Sequence, residues 1–221
     1  MIKHCEILTL TLLFSVICNS QNNQLDANGA RNGHWKVNFE GTSYPKFEGT
    51  FEHGTEVGEF KFYKKGFDEH PTAIMNFEEG KDSVQVIYYT QKGKPISQGK
   101  MVNKKREGKW IYFHQKSDSI MMTEDYKYDQ LDGLQKTYFT NGQLAEKTNY
   151  VEGKKHGESL IYADNGQVTK RLHYKKGELD GPATYYTTEG VKTIEGTYKD
   201  GRKYGNWKYY SEGKLEREED Y

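Results

Sequence analysis

The side chains able to do chemistry are scattered along this chain. Beyond the first twenty residues the histidines are His34, His53, His70, His114, His156 and His173, and none stands in the His-x-x-x-His or His-Glu-x-x-His spacing of a metal site. Glu124-Asp125 with Asp129 and Asp132 offers the oxygen ligands that hard cations take, yet the spacing fits no calcium loop. Asp132 simply precedes a glycine where comparable segments carry His156, Asp180 or Tyr204. Gly-x-Ser-x-Gly is missing, which removes the common nucleophile elbow. The glycines flank strand-like runs and never open a helix that could cradle phosphate. No carboxylate pair for glycoside cleavage stands out among 32 acidic residues. The pattern points away from an enzyme, and no cofactor or metal is expected.

What the chain spaces regularly is glycine and aromatic rings. Gly33, Gly58, Gly108, Gly133, Gly157, Gly181 and Gly205 share one context, with gaps of 25, 50, 25, 24, 24 and 24. The gap of 50 hides a boundary at Ser83, giving eight units that start at 33, 58, 83, 108, 133, 157, 181 and 205. Five residues into the units stand Tyr63, Tyr88, Phe113, Tyr138, Tyr162, Tyr186 and Tyr210; the first unit has Phe39 one residue late. A later series runs Phe51, Phe77, Tyr126, Tyr150, Tyr174, Tyr198 and Tyr221, with Met101 in the third unit. Phe51/Gly54/Gly58, Tyr150/Gly153/Gly157, Tyr174/Gly177/Gly181 and Tyr198/Gly201/Gly205 spell one aromatic-x-x-Gly-x-x-x-Gly junction.

Each unit reads as a hairpin. Gly205-Asn206-Trp207-Lys208-Tyr209 alternates apolar and polar, the period of a half-buried strand. Thr140-Asn141-Gly142, Asp164-Asn165-Gly166 and Thr188-Glu189-Gly190 supply turns, and Asn-Gly favours the left-handed backbone of tight hairpins. The expected fold is all-β: an elongated antiparallel meander of about sixteen short strands, with no helix in the repeats. Equivalent rings two strands apart are about 9.5 Å apart, too far to stack. The later series would fill that gap if it shared a face with the first, making one ladder. A second stripe comes from Trp35/Val37, Phe60/Phe62, Trp110/Tyr112 and Trp207/Tyr209, weakening in the middle at Gln135/Thr137 and Ser159/Ile161. The charged final strand from Lys214 to Tyr221 suits a guarded sheet edge.

The recurring Tyr-x-x-Gly-x-x-x-Gly-x-Trp/polar-x-x-Tyr-x-x-x-Gly spelling over residues 33–221 resembles the variant MORN (membrane occupation and recognition nexus) repeat, the form found in bacterial secreted proteins and in YwqK-family antitoxins. The resemblance implies an elongated, twisted β-sheet and no defined activity. Ser83, Met101 and the turns at 66–71 and 115–119 depart from it.

Composition sets the outer bounds. Hydrophobic residues are 34% of 221, low for a globular domain, so no large aliphatic core or parallel Val/Ile/Leu sheet can form. Net charge is zero and 14% of residues are aromatic, which separates the chain from disordered ones. Residues 1–20 read as a signal peptide: Lys3, an eleven-residue apolar run from Ile7 to Ile17, then Cys18-Asn19-Ser20 before a cleavage point. Lipidation of Cys18 is the alternative, with Ile17 a poor fit beside it. Cys5 and Cys18 are the only cysteines, so cleavage after Ser20 leaves no disulfide or thiolate chemistry. Residues 21–32 form a short lead. No later run spans a membrane, and 31 bases against 31 acids without Lys3 and Glu6 give no pull toward nucleic acid or anionic lipid.

The expectation is therefore an exported, non-enzymatic repeat scaffold at the cell envelope, in the periplasm, on the outer-membrane surface or secreted. Its partner would be a protein or a glycan met across the sheet. The alternatives are a YwqK-like antitoxin that binds a toxin, and a protein with weak membrane-lipid association.

Overall fold

The computed structural model describes residues 22–67 and 70–221; the expected leader, the expected cleavage point and Cys18 lie outside them. Among the described residues eighteen strands run in chain order. The first nine are β1 (Gln24–Leu25), β2 (Arg31–Asn38), β3 (Pro45–Glu52), β4 (Thr55–Phe62), β5 (Ala73–Phe77), β6 (Ser83–Tyr89), β7 (Pro95–Val102), β8 (Lys105–Phe113) and β9 (Ile120–Lys127). The rest are β10 (Gln130–Tyr138), β11 (Leu144–Val151), β12 (Lys154–Tyr162), β13 (Val168–Lys175), β14 (Glu178–Leu179), β15 (Gly181–Tyr186), β16 (Lys192–Lys199), β17 (Arg202–Ser211) and β18 (Lys214–Asp220). Each pairs antiparallel with the next, and β14 and β15 are one strand interrupted at Asp180, both against β13. The result is the expected open meander, all-β with no helix among the described residues. The strands pack against their sheet neighbours, and no second layer among the described residues covers either face.

Two kinds of turn alternate, and the seven regularly spaced glycines lie in neither. Between units the turns have two residues, both with positive φ: His53-Gly54 (48°, 88°), Glu152-Gly153 (49°, 76°), Lys176-Gly177 (53°, 98°) and Asp200-Gly201 (48°, 77°). These are the tight hairpins whose twist suits paired strands. In the Asn-Gly turns only the glycine is left-handed, as at Gly142 (83°) and Gly166 (86°). Asn141 and Asn165 instead accept the backbone N–H of Gln143 and Gln167 through Oδ1, both at 3.0 Å. Gly33, Gly58, Gly108, Gly133, Gly157, Gly181 and Gly205 lie inside strands, at φ of 65° to 127°. Six of them sit beside a register shift against the preceding strand or, at Gly181, beside the break at Asp180, so they mark β-bulges rather than turns.

Unit three is the exception. The residue facing the later aromatic is Gly33 opposite Phe51, Gly58 opposite Phe77, Gly108 opposite Tyr126 and Gly133 opposite Tyr150. In unit three it is Val84, opposite Met101. The equivalent start is therefore 84, not Ser83, and Tyr89, not Tyr88, occupies the fifth place. The physical reason is local: β5 and β6 pair without a bulge across the longer turn at 78–82, so no glycine is needed.

The two sheet ends differ. Beyond β1, the Asn23 side chain closes the β2 edge like a peptide group: Oδ1 accepts from Lys36 N at 2.8 Å and Nδ2 donates to Lys36 O at 3.1 Å. At the other end β18, nearly all exposed, carries Lys214, Glu216, Arg217, Glu218, Glu219 and Asp220.

Candidate binding face

One face carries what core there is, in three rows. The middle row passes through Trp35, Gly49, Phe60, Met75, Val86, Gly99, Trp110, Glu124, Gln135, Thr148, Ser159, Leu172, Ala183, Gly196 and Trp207. Its partners follow a size rule that the sequence reading missed. Each second-strand residue meets the first-strand residue eleven positions on, and at Gly49/Phe60, Gly99/Trp110, Leu172/Ala183 and Gly196/Trp207 small is matched to large. A Cβ on Gly49 would lie 2.4 Å from the Phe60 ring, on Gly99 2.5 Å from Trp110, and on Gly196 2.2 Å from Trp207. Those three glycines lack positive φ, so close approach is what requires them. The indoles lie flat on them, with Trp110 Nε1 donating to Lys100 O and Trp207 Nε1 to Thr197 O, both at 3.1 Å. The signal was present as glycines off the ruler, eleven residues before a ring.

The later aromatics flank this row edge-on. Phe51–Phe60 centroids are 5.1 Å apart, Phe60–Phe77 5.2 Å and Tyr198–Trp207 4.9 Å, at 75° to 90°. Such pairs contribute about 0.5–1.5 kcal/mol beyond burial. A covering side chain lies two residues before the regularly spaced glycine. Arg31 sits 4.9 Å from the Trp35 centroid, Arg106 3.9 Å from Tyr126, Lys155 5.2 Å from Tyr174 and Lys203 4.6 Å from Trp207. Leu131 and Leu179 take the place in units five and seven. Under this cover Trp207 is 1% exposed in a sheet one layer thick.

The first aromatic series is elsewhere. Tyr63 Oη donates to Glu48 Oε1 at 2.7 Å and Tyr210 Oη to Glu195 Oε1 at 2.5 Å. Glu48 and Glu195 alternate with core-face residues, so these rings belong to the opposite face. By the same alternation Phe113, Tyr138, Tyr162 and Tyr186 follow the core-face residues Tyr112, Thr137, Ile161 and Tyr185 and turn away. Tyr88 alone is on the core face, 6.3 Å from Trp110. The two series therefore do not interleave into one ladder, because bulges and turns set their strand parity apart. The stripe through Phe60, Trp110 and Trp207 is the core instead. Burial, and then the Glu48 carboxylate, raise the Tyr63 phenol well above its usual range.

In the middle the row turns polar and stays satisfied. Glu124 is 6% exposed; it accepts from Tyr126 Oη at 2.5 Å and from Gln135 Nε2 at 2.7 Å. Arg106 donates to Tyr126 Oη at 2.5 Å and pairs with Asp129. That guanidinium holds the Asp129 carboxyl below the usual carboxylate range. Thr148 and Ser159, each 1% exposed, share a 2.7 Å hydroxyl bond. Of the acids considered for calcium, Glu124 and Asp129 are thus held by Tyr126, Gln135 and Arg106, and Asp125 Oδ2 accepts from Leu134 N. Among the described residues no three His, Cys, Asp or Glu converge on a metal position. His53 meets Asp26 at 2.7 Å and His114 meets Tyr138 O at 3.1 Å.

The cover fails in one place. Two residues before Gly58 stands Glu56, and two before Val84 stands Asp82, both exposed. Phe62, Met75, Phe77, Val84 and Met101 are left as the floor of a slot of about 760 Å³. A smaller hollow of about 290 Å³ continues from it past Met101 and Lys104 to Arg106, Tyr112 and Asp129. Sequence reading met this region only as irregular spelling.

Comparison with known proteins adds one family. Residues 131–152 and 155–176 match the MORN repeat variant, two adjacent repeats in the polar middle of the sheet. No curated protein matches the chain. Solved structures with some likeness include a mutant of S. aureus TarM in complex with Fondaparinux, alpha-GlcNAc-glycerol and UDP, 12% identical at a TM-score of 0.28. Another TarM crystal structure is 10% identical at 0.27, and each match covers 60% of this chain and 21% of the other. Likeness that slight bears on neither fold nor function.

Proposed function

We propose that this protein is a non-enzymatic repeat scaffold, exported to the cell envelope, that binds a partner protein across the three-row face. The observation that carries the reading is a sheet one layer thick whose aromatic face has no covering layer among the described residues. That face presents tyrosine hydroxyls in neighbouring pairs, Tyr185 with Tyr198 at 3.2 Å and Tyr209 with Tyr221 at 3.1 Å. Tyrosine gives rigid contact area with a polar tip, which suits protein recognition. The polar groups in the middle are spent on one another, which leaves contact as the work of the surface. A toxin would be one such partner.

The test is capture from envelope extract by the protein lacking residues 1–20, read by mass spectrometry. Tyr185→Glu with Tyr209→Glu should abolish capture of the recovered partner, and Lys208→Glu on the opposite face should leave it. Equal capture by both variants, each folded by circular dichroism, overturns the choice of face. Recovery of unprocessed chain from the cytoplasm overturns export.

A further inference from the structure

We propose that the uncovered slot between β4 and β7 is a peptide-binding site for a short partner segment with apolar side chains at its centre and opposite charges at its ends. This deepens the scaffold reading and rests on it. Elsewhere the row of later aromatics lies beneath Arg31, Arg106, Leu131, Lys155, Leu179 or Lys203. At the slot both covering places hold exposed acids, Glu56 and Asp82, which leave the floor open. A volume of about 760 Å³ lies within the ~300–1,000 Å³ of ligand sites. Met75 and Met101 give the floor the unbranched, adaptable side chains that mould to a ligand.

Charge selects the occupant. Lys81 is already paired with Glu78, so Glu56 and Asp82 set the sign of the β4–β6 rim. Lys104, in the turn between β7 and β8, sets the opposite sign at the far rim, with Arg106 beyond it. From β4 to the turn between β7 and β8 is between three and four strand steps, roughly 14–19 Å at ~4.8 Å each, which about five or six extended residues span. A Lys or Arg at one end would meet Glu56 and Asp82, two apolar side chains would replace the missing cover, and an Asp or Glu at the other end would meet Lys104.

The experiment follows the methyl signals of Met75, Met101, Met121 and Met122 in the full chain. The probe is the acetylated, amidated hexapeptide Lys-Gly-Leu-Phe-Gly-Glu. Saturable shifts of Met75 and Met101 are expected, with Met121 and Met122 unmoved. Peptides with Lys at both ends or Glu at both ends should bind about tenfold more weakly. Glu56→Lys with Asp82→Lys, both surface changes, should move the preference to the peptide with two Glu. No saturable shift, movement of all four methyls, or indifference to peptide charge overturns the proposal. Val84→Trp, which fills the slot, separates this site from the wider reading. Partner capture retained by Val84→Trp overturns the slot and leaves the scaffold standing. Peptide binding without any partner capture by the native chain supports the slot and fails the scaffold.

Discussion

The C-terminal hairpins and the middle of the sheet occupy one lattice with opposite chemistry. In β16 and β17 the middle row is Gly196 under Trp207, closed by Tyr198 and Lys203. In β11 and β12 the same places hold Thr148 and Ser159, joined by a hydroxyl bond, with Lys155 as cover. Backbone pairing is antiparallel in both with a register shift beside Gly157 and Gly205, displaced by one residue: Thr148 pairs with Ser159, whereas Gly196 is skipped opposite Trp207. The lattice is thus carried by turns and bulges, and the row needs only a matched pair, by volume or by hydrogen bond. The matched family repeats lie in the polar middle, where no tryptophan contributes.

The strongest way to break the comparison is Trp207→Ala, expected to cost about 3–5 kcal/mol in urea unfolding because the indole is buried and its glycine neighbour cannot close the hole. Gly196→Leu in that background should restore part of the loss, since it recreates the Leu172/Ala183 type of pair. A double mutant no better than Trp207→Ala would refute volume matching. In the middle, Glu124→Ala should cost about 1–3 kcal/mol by leaving the Tyr126 and Gln135 donors unpaired. Thr148→Val alone should cost about 1 kcal/mol. Thr148→Val with Ser159→Ala should cost less than the sum of the two single changes, since no buried hydroxyl is then orphaned and Glu146, which Thr148 also bonds at 2.8 Å, keeps Lys155. The smallest effect is with pH. Arg106 lowers Asp129, and Lys192 with Tyr210 lowers Glu195. A carboxylate depressed in the folded state stabilises it fully above the unfolded value near 4 and loses that contribution as pH falls through the folded value. Carboxyl titration by NMR should therefore place both midpoints below those of exposed acids, and midpoints at the ordinary value would remove this contribution.

Much of the fold was legible because hairpins are local: glycine spacing and strand alternation gave an antiparallel meander, and the structure is one. Face assignment was not legible, for a physical reason. A bulge adds a residue to one strand and resets alternation, so counting from a glycine cannot say which side a ring takes. Tyr88 and Tyr63 occupy the same counted place and opposite faces, because β6 lacks the bulge that β4 has. Gly49, Gly99 and Gly196 were passed over since they fall off the main ruler, though it is contact with a ring on the next strand that fixes them. The slot was invisible for another reason. It arises where Glu56 and Asp82 fail to do what Arg106 and Lys203 do, and that contrast needs the rows to be seen side by side.

The Asn23 amide has a consequence for how the molecule ends. A meander with an open flank is a template for further strands, and here one side chain stands in for a whole peptide unit against Lys36. Trimming by an aminopeptidase past residue 22 would uncap the part of that flank beyond β1 and leave more of the deterrence of end-on growth to the charged β18. Scattered light from chains beginning at Asn22 and at Gln24 would separate a monomer from a polymerising fragment that differ by two residues.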